Sequence, residues 1–114
     1  MKLDDFLQQL QQAPETITFA NTMDTIAANY HYTASAFKNG AAINASGSNE
    51  GSCKLFYFAK IKQLTPVQTL ACFGDYYRID VLQNPEANDH ANIRNFMVTG
   101  WNGVSFEGEV LTTR

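Results

Sequence analysis

The sequence is poor in charged residues. Only 17% of its 114 residues are charged and the net charge is −3, whereas 45% are hydrophobic. Disordered chains show the opposite balance, so we expect a folded domain. The chain contains no run of lysine or arginine, the residues that neutralise a phosphate backbone. The composition therefore disfavours a protein that binds nucleic acid.

Cysteine is also scarce, and long apolar runs are missing. The two cysteines, Cys53 and Cys72, are too few for a disulfide framework and fit reduced thiols in a cytosol. The first residues lack the apolar core of a secretory signal. No apolar run approaches the ~20 residues needed to cross a bilayer. We therefore expect a cytoplasmic protein without a membrane span.

Amide side chains replace the missing charge, since the sequence has ten asparagines and seven glutamines. Four of the asparagines fall at predicted turns and helix caps: Asn39, Asn49, Asn88 and Asn102. Much of the amide excess is therefore expected to serve the architecture.

Two helices are predicted at the N-terminus. An apolar stripe at helical spacing is formed by Leu3, Phe6, Leu7 and Leu10. Pro14 should end this helix, because its ring excludes the preceding residue from helical geometry. A second helix is expected from about Thr16 to Asn29, with Thr16 or Thr18 as its N-cap.

The middle of the chain predicts a hairpin and then a buried helix. Asn39-Gly40 lies between the short segments 30–37 and 41–45, a strong hairpin signal. The following segment, 50–63, is apolar around most of its circumference, which is typical of a central helix. Ser48 or Asn49 is the expected N-cap.

The C-terminal half predicts two more helices and a strand. Thr65-Pro66-Val67-Gln68 combines an N-cap, a proline at the first helical position and a capping-box glutamine. That helix is expected to reach Tyr77 with Gly74 inside it. Asn88 or Asp89 should cap a short helix that buries Ile93, Phe96 and Met97 and ends at Gly100. Residues 104–106 alternate as a short strand.

These elements predict one α+β domain spanning residues 1–114. Four or five helices should surround the helix at 50–63. The hairpin and the strand at 104–106 should form a small antiparallel sheet.

Cys53 is the first candidate for a catalytic residue. A thiol nucleophile needs a base and a lowered pKa. Cys53 lies near a predicted helix start and His90 follows Asp89, so a Cys/His enzyme is one hypothesis. A packed thiol is the simpler interpretation, because free cysteine is among the most buried residues. We therefore expect no enzymatic activity but keep the Cys/His enzyme as an alternative.

Metal and nucleotide sites are disfavoured. His31, Cys53, Cys72 and His90 lie 18 to 22 residues apart, whereas structural zinc ligands usually come in close pairs. The loop 46–51 lacks the lysine and spacing of a phosphate-binding loop. We expect neither a metal nor a cofactor.

A binding surface is the better hypothesis. The densest polar cluster is segment 89–96, and the junction at 48–53 is the second segment of interest. The candidate contact residues are Asn49, Glu50, Asp89, His90, Asn92, Arg94, Asn95 and Trp101. Arg94 suits a carboxylate or carbonyl oxygens, although a structural salt bridge would explain it equally.

Several blocks in order resemble the HopJ type III effector family. They are Asn49-Glu-Gly-Ser-Cys-Lys54, Leu70-Ala-Cys-Phe-Gly-Asp-Tyr-Tyr-Arg78, Asp89-His-Ala-Asn-Ile-Arg-Asn-Phe-Met97 and Gly100-Trp101. The resemblance spans essentially the whole chain. It implies a small bacterial protein whose relatives are thought to enter plant cells through a type III secretion machine. It implies no catalytic residue.

The leading hypothesis is therefore a HopJ-like effector that binds a host protein without catalysis. It would be made in the bacterial cytoplasm and secreted into host cells. Two alternatives stay open: the enzyme using Cys53 and His90, and an unsecreted housekeeping protein.

Overall fold

Residues 2–114, the part that the computed structural model describes, form five α-helices. They are α1 (Leu3–Gln12), α2 (Phe19–Asn29), α3 (Glu50–Ile61), α4 (Pro66–Ala71) and α5 (Ala91–Thr99). Two 3-10 turns (Pro14–Thr16 and Gly100–Gly103) and a π-helix (Tyr76–Val81) complete the helical part. None of the helices is long and apolar enough to span a membrane.

Five short strands form two antiparallel sheets within the same residues. They are β1 (Tyr30–Tyr32), β2 (Phe37–Asn39), β3 (Ala42–Asn44), β4 (Val104–Phe106) and β5 (Leu111–Thr113). One sheet has the order β3-β2-β4, and the other pairs β1 with β5. The predicted sheet of hairpin plus strand 104–106 is confirmed.

The hairpin is shorter than predicted. Residues 30–32 do not pair with β3 but with β5, in the register Tyr30↔Thr113. Burial explains the choice, since Tyr30 packs edge-on against Phe58 of α3. The turn lies one residue later than predicted, at Gly40-Ala41, because Asn39 is the last residue of β2 and pairs with Ala42. The turn signal was local, whereas the pairing of β1 depends on the far end of the chain.

Helix α3 is the centre of the core, as predicted. Leu55, Phe56 and Phe58 are fully buried. The Phe56 ring contacts four aromatic side chains from separate parts of the chain: Phe37, Phe73, Phe96 and Trp101. Helix α3 therefore packs against several other elements of the core. The predicted α+β class is confirmed.

Helix starts were predicted correctly where a full capping box exists. The Thr18 and Thr65 hydroxyls each accept a hydrogen bond from the backbone N–H of the third helical residue, and the side-chain oxygen of that residue accepts one from the threonine backbone N–H. Asn49, one of the two predicted N-caps of α3, is the N-cap residue but makes no side-chain cap. The N-cap predicted at Asn88 or Asp89 is wrong, since the N-cap residue of α5 is His90. Asn49 and His90 occupy those N-cap positions in left-handed geometry and make no side-chain cap.

Two predictions in the C-terminal half also fail. Gly74 is not inside a helix, because α4 ends at Ala71 and Gly74 adopts a positive φ of 61° before the π-helix. Met97 is exposed, whereas the polar Asn92 is buried. Both errors come from tertiary contacts that a periodic pattern does not contain.

Candidate functional site

A cleft of about 630 Å³ opens between the hairpin and the first turns of α3 and α5. Its walls are residues 42–44 of β3, Asn49, Gly51 and Ser52 of the α3 start, and residues 90–93 of the α5 start. Phe19, Phe73 and Tyr76 supply an aromatic side. The structure thus brings together the two segments that the sequence singled out, 48–53 and 89–95.

Both helices begin in the same unusual way at this cleft. Asn49 and His90 each have φ of 51°, a region that non-glycine residues seldom adopt. Their side chains do not cap the helices. The Asn49 side chain bonds instead with Asn44 on β3, and the His90 ring with Asp80 on the π-helix. Each helix start is therefore linked to a second element beside the cleft.

Amide side chains build one wall of the cleft. Asn92 Nδ2 donates to Asn44 Oδ1 at 3.0 Å, and Asn44 Nδ2 donates back to Asn92 Oδ1 at 3.1 Å. Asn39 Nδ2 donates to the Asn92 carbonyl at 2.7 Å, and Asn49 Nδ2 donates to Asn44 Oδ1 at 2.7 Å. Because three of these four side chains are buried, the network fixes the hairpin to α5.

An aromatic row and an acid–imidazole pair form the opposite wall. Phe19 stacks on Phe73, and Tyr76 meets the Phe19 ring edge-on at 5.2 Å. His90 lies 5.2 Å from the Tyr76 ring. Its Nε2 is 3.0 Å from Asp80 Oδ2 on the π-helix, which fixes the ring at the cleft edge.

Arg94 forms hydrogen bonds with the loop before α5. Its Nε donates to the Asp89 carbonyl at 2.6 Å, and its Nη2 donates to Asp89 Oδ1 at 2.7 Å. This hydrogen bond lowers the pKa of the Asp89 carboxyl. Arg94 lines a separate groove of about 240 Å³ with Leu82 and Met97. The structural salt bridge, one of the two interpretations of this arginine, is what the geometry shows.

The remaining candidate residues lie outside the cleft lining. Glu50 is exposed in the first turn of α3. Asn95 is half-buried on α5 and lies near the Gly40 turn. Trp101 covers the core: its ring meets Phe96 edge-on, and its Nε1 donates to the Leu64 carbonyl at 3.0 Å.

The Cys53 thiol is placed in the core. It is 1% exposed, and its Sγ lies 3.7 Å from the Ser35 carbonyl oxygen. Burial raises the pKa of Cys53, and it raises the pKa of Cys72 to about 12. His90 is engaged with Asp80 at the cleft edge. The geometry therefore argues against a Cys53–His90 nucleophile, which needs an accessible thiolate beside its base.

Both thiols are expected to resist alkylation at neutral pH in the folded protein. Their raised pKa keeps them protonated, and burial blocks the reagent. Mass spectrometry after iodoacetamide should show no label until denaturant is added, and then two. Rapid labelling of Cys53 alone in the native state would revive the enzyme alternative.

Several residues at the cleft were not among the candidate contact residues that the sequence indicated. Asn44 and Tyr76 line it, and Asp80 orients His90. Asp80 and His90 are ten positions apart, with an irregular turn between them, so no spacing rule joins them. Asn44 had a signal: it lies in the predicted hairpin segment 41–45, and it pairs with Phe37 at the end of β3.

The cleft offers hydrogen-bonding amides and aromatic rings, which suit recognition of a polar ligand or a polypeptide. Within residues 2–114, no group of three or more histidine, cysteine or acidic side chains is arranged to hold a metal ion.

Comparison with known proteins gives a family but no activity. A solved structure that is 52% identical matches with a TM-score of 0.99, covering 100% of this chain and 95% of its own. It is described as the crystal structure of an unknown-function protein, VPA0580. No curated protein matches the chain. The family model described as HopJ type III effector protein matches residues 3–111, and the chain therefore belongs to the HopJ type III effector family.

Proposed function

We propose that the protein is a secreted type III effector that acts by binding a host protein through the cleft, without catalysis. The observation that carries the proposal is the convergence of Asn49, Gly51 and Ser52 with residues 90–93 on one cleft. Membership of the HopJ family supports the secretion part. The burial of Cys53 supports binding over thiol catalysis.

Secretion is tested with the full chain fused to a calmodulin-dependent adenylate cyclase. Host-cell cyclic AMP should rise with the parent bacterium and stay at background in a strain without the secretion ATPase. Equal signals from the two strains, or none from either, would support the unsecreted housekeeping alternative. A cyclase fused to an established effector of the same strain controls for secretion itself.

The binding part is tested by quantitative co-purification from host cells that express the full chain. We expect a host protein in near-stoichiometric amount with the wild type, and its loss with Ser52→Trp, which fills the cleft. Val67→Trp is the matched control, because Val67 is exposed on α4 and lines none of the clefts described. Equal retention by both variants would contradict binding through the cleft.

A further inference from the structure

Strand β3 is an open edge of the three-stranded sheet, and it borders the cleft. The order β3-β2-β4 leaves β3 paired on one side only. Ala42, Ile43 and Asn44 all line the cleft. The Ile43 side chain is 80% exposed, although isoleucine is apolar. The middle residue of this edge is therefore exposed to solvent.

The backbone of Ile43 also points outward. Gly40 N donates to Gly103 O and Glu107 N donates to Ala36 O, on either side of the pair Lys38↔Ser105. Hydrogen-bonded pairs alternate along an antiparallel ladder, so the Lys38 backbone bonds toward β4. Ile43 is opposite Lys38 on β2, so its own N–H and C=O point away from the sheet.

Proteins usually protect such edges with a very short strand, a charge, a proline or a bulge. β3 is short, at three residues, and Lys38 lies opposite Ile43 on β2, but β3 itself carries no charge, proline or bulge, since its residues are alanine, isoleucine and asparagine in regular register. An outward N–H, an outward C=O and an exposed β-branched side chain are what an added strand uses.

The charge around the cleft selects the partner. A second groove, of about 430 Å³, shares Phe19 and Tyr76 with the cleft and is lined by Asp75 and Asp80. Tyr76 is 45% exposed, and the Asp75 side chain is 76% exposed. Asp75 Oδ1 lies 3.7 Å from Arg78 Nη2, and Asp80 Oδ2 lies 3.0 Å from His90 Nε2. Asp75, in a long and exposed ion pair, is therefore the more available carboxylate. An aromatic face beside carboxylates suits a lysine or arginine side chain. The net charge of −3 adds a general attraction for cations.

We propose that an extended, basic segment of a partner protein binds as a fourth strand on β3 and places one lysine or arginine against Tyr76. The main chain of the segment would bond with Ile43, and its cation would lie in the groove beside the exposed carboxylate of Asp75. This deepens the proposed function and rests on the binding role of the cleft. It does not depend on secretion.

The test is a titration of the ¹⁵N-labelled full chain, followed by the amide shifts in NMR spectra. The probe is a short blocked peptide in which valine and threonine alternate around one arginine. We expect saturable shifts at residues 42–44 and at Tyr76. Replacing arginine by glutamate in the peptide should weaken binding about tenfold, and N-methylation of alternate peptide nitrogens should abolish it.

Variants of the chain locate the contact. Ile43→Pro removes the outward N–H without breaking a bond of the sheet, and should weaken binding about tenfold. Asp75→Asn should weaken it about threefold. Asp5→Asn on α1 is the matched control and should bind like the wild type. An unchanged thermal midpoint shows that Ile43→Pro is folded, and the N-methylated peptide tests the same contact on the wild-type chain.

Three outcomes would overturn the proposal. One is the absence of shifts at millimolar peptide, and another is equal binding of the arginine and glutamate peptides. The third is a concentration-dependent shift of Ile43 without peptide, which would show that β3 pairs with a second copy of this chain. Because the titration uses purified protein, a negative cyclase assay with a positive titration would reject secretion and retain the peptide site.

Discussion

Replacing Gly74 with alanine is expected to lower the free energy of unfolding by about 3 kcal/mol. Gly74 has φ of +61°, which strains any residue with a Cβ. An added Cβ would also lie 2.7 Å from the Phe19 backbone nitrogen and 3.1 Å from Thr18 Cα. These backbone atoms begin α2 and cannot move as a side-chain tip can. Urea denaturation measures the loss.

Gly47→Ala separates the effect of backbone strain from the effect of the close contact. Gly47 also has a positive φ, +85°, but an added Cβ would meet nothing within 4 Å. This variant should lose only about 1 kcal/mol, from backbone strain alone. Equal losses at Gly74 and Gly47 would show that the close approach to Phe19 contributes nothing to stability.

The close approach at Gly74 also bears on the cleft. At this point the turn after α4 packs directly against the start of α2, and Phe19 is the first residue of α2. Phe19 is shared by the cleft and the neighbouring groove. An alanine at Gly74 is therefore expected to disturb ligand binding as well as stability.

Local signals in the sequence were sufficient for much of the fold. The capping box at Thr65 and Gln68 closes within one turn, so the sequence contains all of its partners. The hairpin at Asn39-Gly40 and the apolar helix α3 are local in the same sense. The β1–β5 sheet was missed because Tyr30 pairs with Thr113, across nearly the whole chain.

The cleft was only partly predictable for the same reason. Segment 89–95 was found by its polar composition and segment 48–53 as a predicted helix start within a block that resembles the family, and residues of both line the cleft. Sequence position did not show which side chains face it: Arg94 turns back to Asp89, and Asp80 joins His90 from the π-helix. Nor does an asparagine at a predicted cap reveal a longer-range amide partner, as Asn49 has in Asn44.

Replacing Asn92 with alanine is expected to lower the free energy of unfolding by about 3 kcal/mol. The Asn92 amide takes part in three hydrogen bonds, two with Asn44 and one from Asn39 Nδ2. Asn92 is 7% exposed, so water does not readily replace these partners. Each lost bond contributes about 1 kcal/mol. Chemical denaturation measures the total, and amide exchange should become faster in residues 39–44.

Asn88→Ala is the matched control and a second test of the helix start. Asn88 is exposed, and its side chain makes no hydrogen bond within residues 2–114. A true N-cap asparagine would lose about 1 kcal/mol on this change, whereas the structure predicts almost no loss. If Asn88→Ala destabilises the protein as much as Asn92→Ala does, the amides before α5 act as helix caps. If only Asn92→Ala is destabilising, the buried amides hold the hairpin to α5 and keep the edge of β3 in place beside the cleft.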